Sequence, residues 1–493
     1  MTKPKMRVRS GSILSGLEDP MIGTWSRMPK AINQTVYEQA RIIRARSREQ
    51  AHNNDYIKRY QQLLVNNVVG SRGIKIQAKS KKPNGELDKL DNQTIERHFT
   101  NFSNKKSFDF YGKQSFKGFQ NLIMKTLAHD GEVFIVKTIN RAFEYGLKFH
   151  IVDTERVDIT YNAELTNGNL IVMGIEYNPS GLVVAYHFAS RLKSAWESYE
   201  VGSIKYTRIT EDRVIHIYNQ DFVGQLRGLP WVGGSLYRLK LVDQYENTAL
   251  IASKLGAATS GHYYRDENAG NYSGDEKDGY FSEEVVAGEK TILPEGYRYE
   301  QFDPTYPQAM YPDFMKKTLM GISSGLNTSY NMLAQDMENV NFSSIRASVL
   351  EDRETYKNLQ SFLIDEFIQP VFDAWLKIAL LNGKIVSINN KQLPFSKIDK
   401  FSEVTYQARQ WEWVDPFKDA RAKIELLNSG VNTLSAIIRD TGQNPEDVFD
   451  ERLRELEQIA LIKEKEAEIY GNKQDSESAK DNDSNSKVQP EED

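Results

Sequence analysis

The 493-residue sequence contains no cysteine at all. Disulfide bonds, thiolate metal sites and cysteine nucleophiles are therefore excluded, and a reducing compartment is permitted. No stretch approaches 18 uninterrupted apolar residues, so neither a transmembrane helix nor a membrane partner is expected. The basic first segment, MTKPKMRVRSGSILSGLEDPM, lacks a continuous apolar stretch and does not fit a secretory signal.

The motifs of several common enzyme classes are also missing. There is no Gly-x-x-x-x-Gly-Lys-Ser/Thr phosphate loop, which argues against a motor ATPase, and no Gly-x-Ser-x-Gly nucleophile motif. The seven histidines form no His-x-x-x-His pair, so a helical metal site is not expected. His150, His187 and His216 fall in strand-like runs and are expected to be structural. The sequence therefore predicts neither an enzyme nor a cofactor.

Charge is distributed unevenly along the chain, although the net charge is only −5. Residues 1–82 hold 17 Lys and Arg against 5 acids, a balance of +12, whereas residues 446–493 hold 16 acids against 7 basic residues, a balance of −9. Each block fits either a solvated surface or a segment that faces a charged partner. Composition alone leaves both interpretations open.

The periodicity of the first half predicts helices followed by strands. A helical pattern runs from about residue 35 to residue 69 and places Arg41, Arg44 and Arg48 on one face. Between residues 131 and 220, the runs EVFIVKTI, GLKFHIVD, LIVMGIEY, LVVAYHFA and VIHIYN are each predicted as a strand. They are rich in β-branched and aromatic residues and are separated by Gly, Pro, Asn or Asp. Because no helix-length segment separates them, we expect an antiparallel meander or sandwich, and hence an α+β fold.

The second half alternates helices with two irregular segments. Helical patterns cover about residues 233–255 and 307–326, and a Gly- and acid-rich segment lies between them. The stretch NMLAQDMENVNFSSIRASVLED follows, and its first part shows neither a helical nor a strand period. Its Ser343-Ser344 pair is expected to cap a long amphipathic helix over residues 344–381, which Pro370 should kink. Beyond Asn472 the composition predicts disorder.

Several ordered segments resemble the lambda-type family of tailed-phage portal proteins. They include ARSREQAHNNDYIKRYQQLLVNNVVGSRGIKIQ, HIYNQDFVGQLRGLPWVGGSLYRLKLVDQY with its His…Arg-Gly-x-Pro pattern, and NFSSIRASVLEDRETY. In the last segment Phe342 stands where the family more usually has Tyr. Together the matches span about residues 35–455, which makes the resemblance more specific than any single motif.

The resemblance implies a portal fold with a β-rich wing, a two-helix stem, a small α/β clip, a tunnel loop, a long kinked helix and a helical C-terminal crown. The implied divisions are a basic flexible arm 1–34, wing 35–232, first stem helix 233–255, clip 256–306, second stem helix 307–326, tunnel loop 327–343, long helix 344–383, a return to the wing 384–430, crown 431–471 and a disordered acidic tail 472–493.

The resemblance also implies a function and a set of partners. Portal proteins form rings, typically of twelve subunits, at one capsid vertex. Double-stranded DNA passes through the ring without sequence-specific contacts, driven by a separate terminase. The implied partners are further copies of this chain, the terminase large subunit, a head–tail adaptor, and the capsid and scaffold proteins. The implied locations are the virion and, during assembly, the host cytoplasm.

The implied DNA-contacting residues lie in the tunnel loop: Asn331, Met332, Gln335, Asp336, Glu338, Asn339 and Asn341. The clip residues implied in docking of the terminase or adaptor are Glu283, Glu284, Glu289 and Lys290. Residues 329–342 contain no Lys or Arg. A DNA channel should not bind phosphates tightly, because every phosphate that a protein neutralises strengthens binding through counterion release. We therefore expect Asp336 and Glu338 to repel the DNA backbone and the amides to make weak contacts.

Two other interpretations remain open from the sequence. One is a DNA-processing enzyme of a prophage, in which carboxylates hold Mg²⁺; a nuclease or ATPase assay distinguishes it from a portal. The other is a monomeric adaptor or scaffold that binds partners through its charged ends. A mass measurement or negative-stain microscopy distinguishes that monomer from a ring.

Overall fold

The computed structural model describes residues 30–190, 204–258, 262–265, 297–300, 311–338, 342–411, 416–440 and 445–481. The helices are α1 Ile32–Asn53, α2 Asp55–Leu64, α3 Lys89–Phe102, α4 Lys105–Phe108, α5 Phe116–Asp130, α6 Leu236–Ala258, α7 Tyr311–Gly325, α8 Tyr330–Ala334, α9 Phe342–Leu363, α10 Gln369–Leu381, α11 Ile398–Phe401, α12 Pro416–Asn428, α13 Leu434–Asp440 and α14 Pro445–Asp481. The strands are β1 Lys75–Ala78, β2 Glu132–Ile139, β3 Leu147–Val152, β4 Ala163–Glu164, β5 Leu170–Val172, β6 Ile175–Tyr177, β7 Val183–Ala189, β8 Tyr206–Thr210, β9 Val214–Tyr218, β10 His262–Arg265, β11 Tyr297–Glu300 and β12 Val404–Gln407.

The fold is α+β, as the sequence predicts, and the chain divides into one unit up to Arg409 and another from Gln410 onward. In the first unit, β2 lies between β3 and β9, and β4 to β8 form a second sheet in sequential order. All strand pairs in both sheets are antiparallel. Phe134 of β2 and Tyr186 and Phe188 of β7 belong to one buried cluster, so the two sheets share a hydrophobic core. The antiparallel prediction is confirmed.

The sequence predicts a single helix over residues 35–69, but in the structure this helix is interrupted once, at Asn54. Asn54 is extended, ends α1, and accepts a hydrogen bond from the Ile57 backbone amide through its side chain. An asparagine in this conformation is a good helix N-cap, so a second helix starts at Asp55. This helix closes with a wide π turn over Val65–Val69, and Gly70 follows with a φ of +74°.

The arginine stripe of α1 faces carboxylates of its own unit. Arg41 lies 3.7 Å from Glu155, and Arg44 lies 2.5 Å from Glu132. Arg48 lies 2.6 Å from Asp130, and its hydrogen bond to that carboxylate raises the pKa of the guanidinium. For these three residues, intramolecular pairing accounts for the basic stripe. Residues 1–29, most of the predicted N-terminal arm, lie outside the described residues.

The long helical pattern in the second half forms two helices joined by a wide turn. The helix begins at Phe342, so Ser343 and Ser344 lie in its first turn and not at the predicted cap position. A π turn over Ile364–Ile368 separates α9 from α10, and Pro370 lies at the start of α10. A proline ring collides with the carbonyl four residues earlier in a regular helix, and the wide turn occupies that place.

Aromatic side chains fix α10 against the helices of the first half. The Trp375 ring lies 5.1 Å from the Phe99 ring of α3, and Phe116 of α5 stacks on Phe367 at 5.5 Å. Strand β12 then pairs antiparallel with β1. The chain thus returns to its N-terminal half, and α9 extends from a buried, aromatic-rich base.

The second unit consists, in its described part, of α12, α13 and α14. Helix α14 continues to Asp481, although the sequence predicts disorder from residue 472. Helical hydrogen bonds lie within the segment itself, so a polar composition does not prevent them. Residues 482–493 lie outside the described residues. No helix in the described part of the chain is long and apolar enough to cross a membrane.

Candidate channel-lining segment

Two helices that pack through aromatic rings, α6 and α7, precede the candidate segment, residues 331–341. Tyr245 of α6 stacks on Tyr311 of α7, with ring centres 5.4 Å apart, and also contacts Phe314. Between these helices the structure describes two short strands, β10 and β11, which pair antiparallel. Helices α6 and α7 occupy most of the two ranges predicted as stem helices. Glu283, Glu284, Glu289 and Lys290 lie outside the described residues.

The segment after α7 is more ordered than the sequence indicates. Residues 330–334, predicted as irregular, form the short helix α8, and Leu333 is buried. A helix of five residues is too short to show a repeating apolar pattern, which explains the wrong prediction. Gln335 follows in the left-handed region with a φ of +56° and ends the helix.

Asp352 of α9 holds the start of α8. Its carboxylate accepts hydrogen bonds from the Ser329 amide at 2.9 Å and from the Ser329 hydroxyl at 2.6 Å. Burial raises the pKa of Asp352 in spite of these bonds. The sequence analysis missed this residue, because in the run Leu-Glu-Asp-Arg-Glu it looks like one of several solvated charges.

Two basic residues from elsewhere in the chain contact the segment. Lys316 of α7 lies 3.3 Å from Asp336, and Arg59 of α2 donates a 3.0 Å hydrogen bond to the Met332 carbonyl. Asp336 also accepts bonds from the Glu338 amide and the Tyr330 hydroxyl. The Glu338 amide, the Tyr330 hydroxyl and Lys316 together lower the pKa of Asp336. Asp336 is therefore a paired carboxylate, and the sequence prediction did not include its partner Lys316.

The other predicted channel residues differ in exposure. Asn331 and Met332 are half-buried, while Gln335 and Glu338 are exposed. Met337, which the sequence analysis did not select, exposes 56% of its surface beside them. Asn339 and Asn341 lie outside the described residues. The described tip of the segment thus exposes the amide of Gln335, the thioether of Met337 and the carboxylate of Glu338. The Lys316–Asp336 ion pair lies next to them.

A second cluster, largely buried, joins four segments of the first unit. Arg227 Nε lies 2.9 Å from both oxygens of Glu132, and His216 Nε2 lies 3.0 Å from Oε2. Arg44 reaches the same carboxylate from α1. Burial alone raises the pKa of Glu132, but the charges of Arg227 and Arg44 hold it well below its usual value. Burial lowers the pKa of His216.

This cluster explains the spacing of the His…Arg-Gly-x-Pro segment. His216 and Arg227 both bind Glu132, and the Gly228 amide donates to Glu132 Oε2 at 3.0 Å. A Cβ atom on Gly228 would lie 2.2 Å from the Gly131 carbonyl oxygen, so a side chain does not fit there. His187 is likewise paired, at 3.0 Å from Glu176. The structural interpretation is confirmed for His187 and His216, whereas the buried Nδ1 atom of His150 has no hydrogen-bond partner in the described part of the chain.

In the described residues, no group of three or more His, Asp or Glu side chains is arranged to hold a metal ion.

Residues 18–360 match the model of the family described as phage portal protein, lambda family. The chain belongs to this family. It is also 31% identical, over 424 residues, to a probable portal protein of Halomonas phage phiHAP-1, a match that covers 85% of this chain and 80% of that protein.

More distant relatives carry the same description. Portal protein B of Escherichia phage lambda is 20% identical, and the match covers 66% of each chain. The portal protein of Escherichia phage N15 is 21% identical, with 63% of each chain covered. Among solved structures, a chain in the neck of a native gene transfer agent particle, computed with C12 symmetry, matches with a TM-score of 0.44 and 9% identity. That match covers 81% of this chain and 94% of the other.

Proposed function

We propose that this chain forms a ring-shaped channel at one vertex of a phage capsid, through which double-stranded DNA enters and later leaves. Membership of the lambda family of portal proteins carries the proposal. On this proposal the chain is itself not an enzyme, because a separate terminase supplies the energy. The proposed partners are further copies of the chain in a ring of about twelve, the terminase large subunit, a head–tail adaptor, and the capsid and scaffold proteins.

We further propose that the segment from Asn331 to Asn341 lines the narrow part of this channel. A channel lining must let phosphates pass without binding them tightly, because many Lys or Arg contacts would give strong, salt-dependent binding. The segment supports this requirement in two ways. Its exposed groups are uncharged or acidic, and Lys316 has its charge offset by Asp336 at 3.3 Å.

The wing, clip and crown divisions remain proposals for the corresponding ranges, and the clip residues Glu283, Glu284, Glu289 and Lys290 remain proposed docking residues. The Gly- and acid-rich composition of residues 266–296 supports a surface excursion at the end of the α6–α7 pair. Alanine variants of these four residues should keep ring assembly and lose terminase or adaptor binding.

Two measurements on the purified full-length protein test the central proposal. Negative-stain microscopy and native mass spectrometry should show rings with a central hole, built from about twelve 56.5-kDa subunits. Nuclease and ATPase assays on the same rings should show no activity. Monomers at high concentration, or DNA cleavage that depends on Mg²⁺, would contradict the proposal.

Deletion of residues 332–340 tests the channel segment itself. Ring assembly should persist, because α10 and the π turn before it pack through Trp375 and Phe367, which lie outside the deletion. DNA retention or passage should be impaired. If the deletion instead prevented assembly, and DNA still passed wherever rings formed, the segment would be a structural support and not a channel lining.

A further inference from the structure

The second unit buries very little of its own apolar surface. Ten large apolar side chains in its described part are between 41% and 75% exposed: Ile424, Leu426, Val431, Leu434, Phe449, Leu453, Leu456, Ile459, Leu461 and Ile462. Within the same described part, Ile438 is the buried hydrophobic residue. Exposed apolar patches of this extent mark interaction surfaces. Helices α12 to α14 therefore lack a sufficient core of their own.

The apolar side chains of α14 follow a heptad-like spacing. Phe449, Leu453, Leu456 and Ala460 are separated by four, three and four residues, so they lie along one side of the helix. We call these four residues the central stripe. A stripe with this spacing is the pattern by which helices pack against other helices.

Two further apolar residues widen this surface on opposite sides. At about 100° of rotation per residue, Ile459 lies about 90° to one side of the central stripe and Leu461 about 110° to the other side. They are 47% and 58% exposed. A two-stranded coiled coil covers a single narrow stripe, whereas a helix with a neighbour on each side needs apolar residues on both flanks.

We infer that α14 packs side by side with the α14 helices of two neighbouring copies of this chain, Ile459 of one copy facing Leu461 of the next. The occupant of the exposed surface is thus a second copy, and each copy completes the core of its neighbour. Head-to-tail contacts of this kind close into a ring when the rotation between copies is regular. The inference rests on the ring proposed above and adds the contact between neighbouring copies.

The absence of cysteine in the natural sequence makes this contact directly testable. The experiment compares the full-length variants Ile459→Cys, Leu461→Cys and Ile459→Cys/Leu461→Cys under mild oxidation, followed by non-reducing electrophoresis. The two cysteines of the double variant project from opposite sides of one helix, so they cannot join within a chain. The double variant should give a ladder of covalent multimers up to the full ring, and each single variant should stay largely monomeric.

Gln458→Cys is the matched control, because position 458 lies opposite the central stripe and should give no ladder. Covalent dimers from a single variant would indicate a two-fold pair of helices and overturn the inference. Rings that form normally without any ladder would overturn it too, since α14 would then be covered by something other than its counterpart. Absence of rings in the unmodified protein would instead refute the proposed function, so the two failures are distinguishable.

Discussion

The Asp352 carboxylate accepts hydrogen bonds from both the backbone amide and the hydroxyl of Ser329, across 23 residues of sequence. Through this pair, the long helix α9 fixes the start of α8 and with it the proposed channel segment. The contact gives the segment a defined entry point, although its tip carries a left-handed Gln335 and exposed side chains.

Replacing Asp352 by Ala should loosen the channel segment. The Ser329 amide would lose its acceptor, and an unsatisfied polar group of this kind costs about 1–3 kcal/mol. Amide hydrogen exchange in residues 330–334 should become about tenfold faster or more, as measured by mass spectrometry. Glu351→Ala is the control, because the Glu351 side chain is exposed and should leave the exchange unchanged. Equal exchange in both variants would show that the Asp352–Ser329 contact does not hold the segment.

Replacing Lys316 by Met should alter DNA passage, because it removes the positive charge that offsets Asp336. Asp336 would lose its only described cationic partner, and its negative charge would no longer be offset beside Glu338. This should lower the fraction of DNA-filled heads when the variant complements a portal-deficient phage. The double variant Lys316→Met/Asp336→Asn should restore that fraction, because both charges are then gone. Lys317→Met, on an exposed neighbouring position, should have no effect. A double variant as impaired as the single one would show that Lys316 acts through the packing of α7.

Replacing Glu132 by Gln should strongly destabilise the first unit. Arg44 and Arg227 would remain buried without their common carboxylate, and breaking a buried ion pair in this way costs about 3–5 kcal/mol. The urea midpoint should fall, or the protein should fail to fold. Glu155→Gln is the matched control: its carboxylate pairs with Arg44 but is partly exposed, so the loss should stay below about 1 kcal/mol. A similar loss of unfolding free energy in both variants would show that the buried Glu132 cluster has no special role in the stability of the first unit.

Stability should decrease as the pH falls, in two steps. The pKa of His216 is lowered by burial, so below about pH 6.5 the unfolded chain takes up a proton that the folded chain resists. Burial lowers the pKa values of His129 and His150 as well, so they contribute to the same loss. Below about pH 4.5 a second loss follows, because Glu132 and Glu176 have depressed pKa values in the folded state, that of Glu176 being about 2.

Urea unfolding at pH 7, 6, 5, 4 and 3 measures this dependence. In His216→Gln the loss between pH 7 and pH 5 should be smaller than in the unmodified protein, though still present because of His129 and His150. The loss below pH 4.5 should persist in the variant, since it arises from the glutamates. An unchanged slope between pH 7 and pH 5 would mean that His216 does not contribute.

The strands of the first unit were largely predictable because they depend on local composition. The run EVFIVKTI corresponds to β2 residue for residue, and LVVAYHFA contains β7. LIVMGIEY was predicted as one strand, but it forms β5 and β6 around a turn at Met173 and Gly174. Met173 takes a left-handed φ although it is a buried apolar residue, a residue type that does not signal a turn.

Helix ends were less predictable for a similar reason. Asn54 interrupts a pattern that remains helical on both sides, so only its extended backbone and its bond to Ile57 reveal the break. The helix at Tyr330–Ala334 depends on Asp352, which lies on another helix. A window of local sequence around α8 does not contain Asp352.

The sequence by itself determined the absence of thiol chemistry, the α+β class, the location of most helices and strands, and the resemblance to portal proteins, because these depend on composition, period and ordered motifs. Tertiary structure alone decided which charges are paired. Glu132 is 88 residues from Arg44 and 95 from Arg227, and Lys316 is 20 residues from Asp336. Ion pairs across such separations leave no period in the sequence, since the fold, and not the local chain, brings the groups within bonding distance.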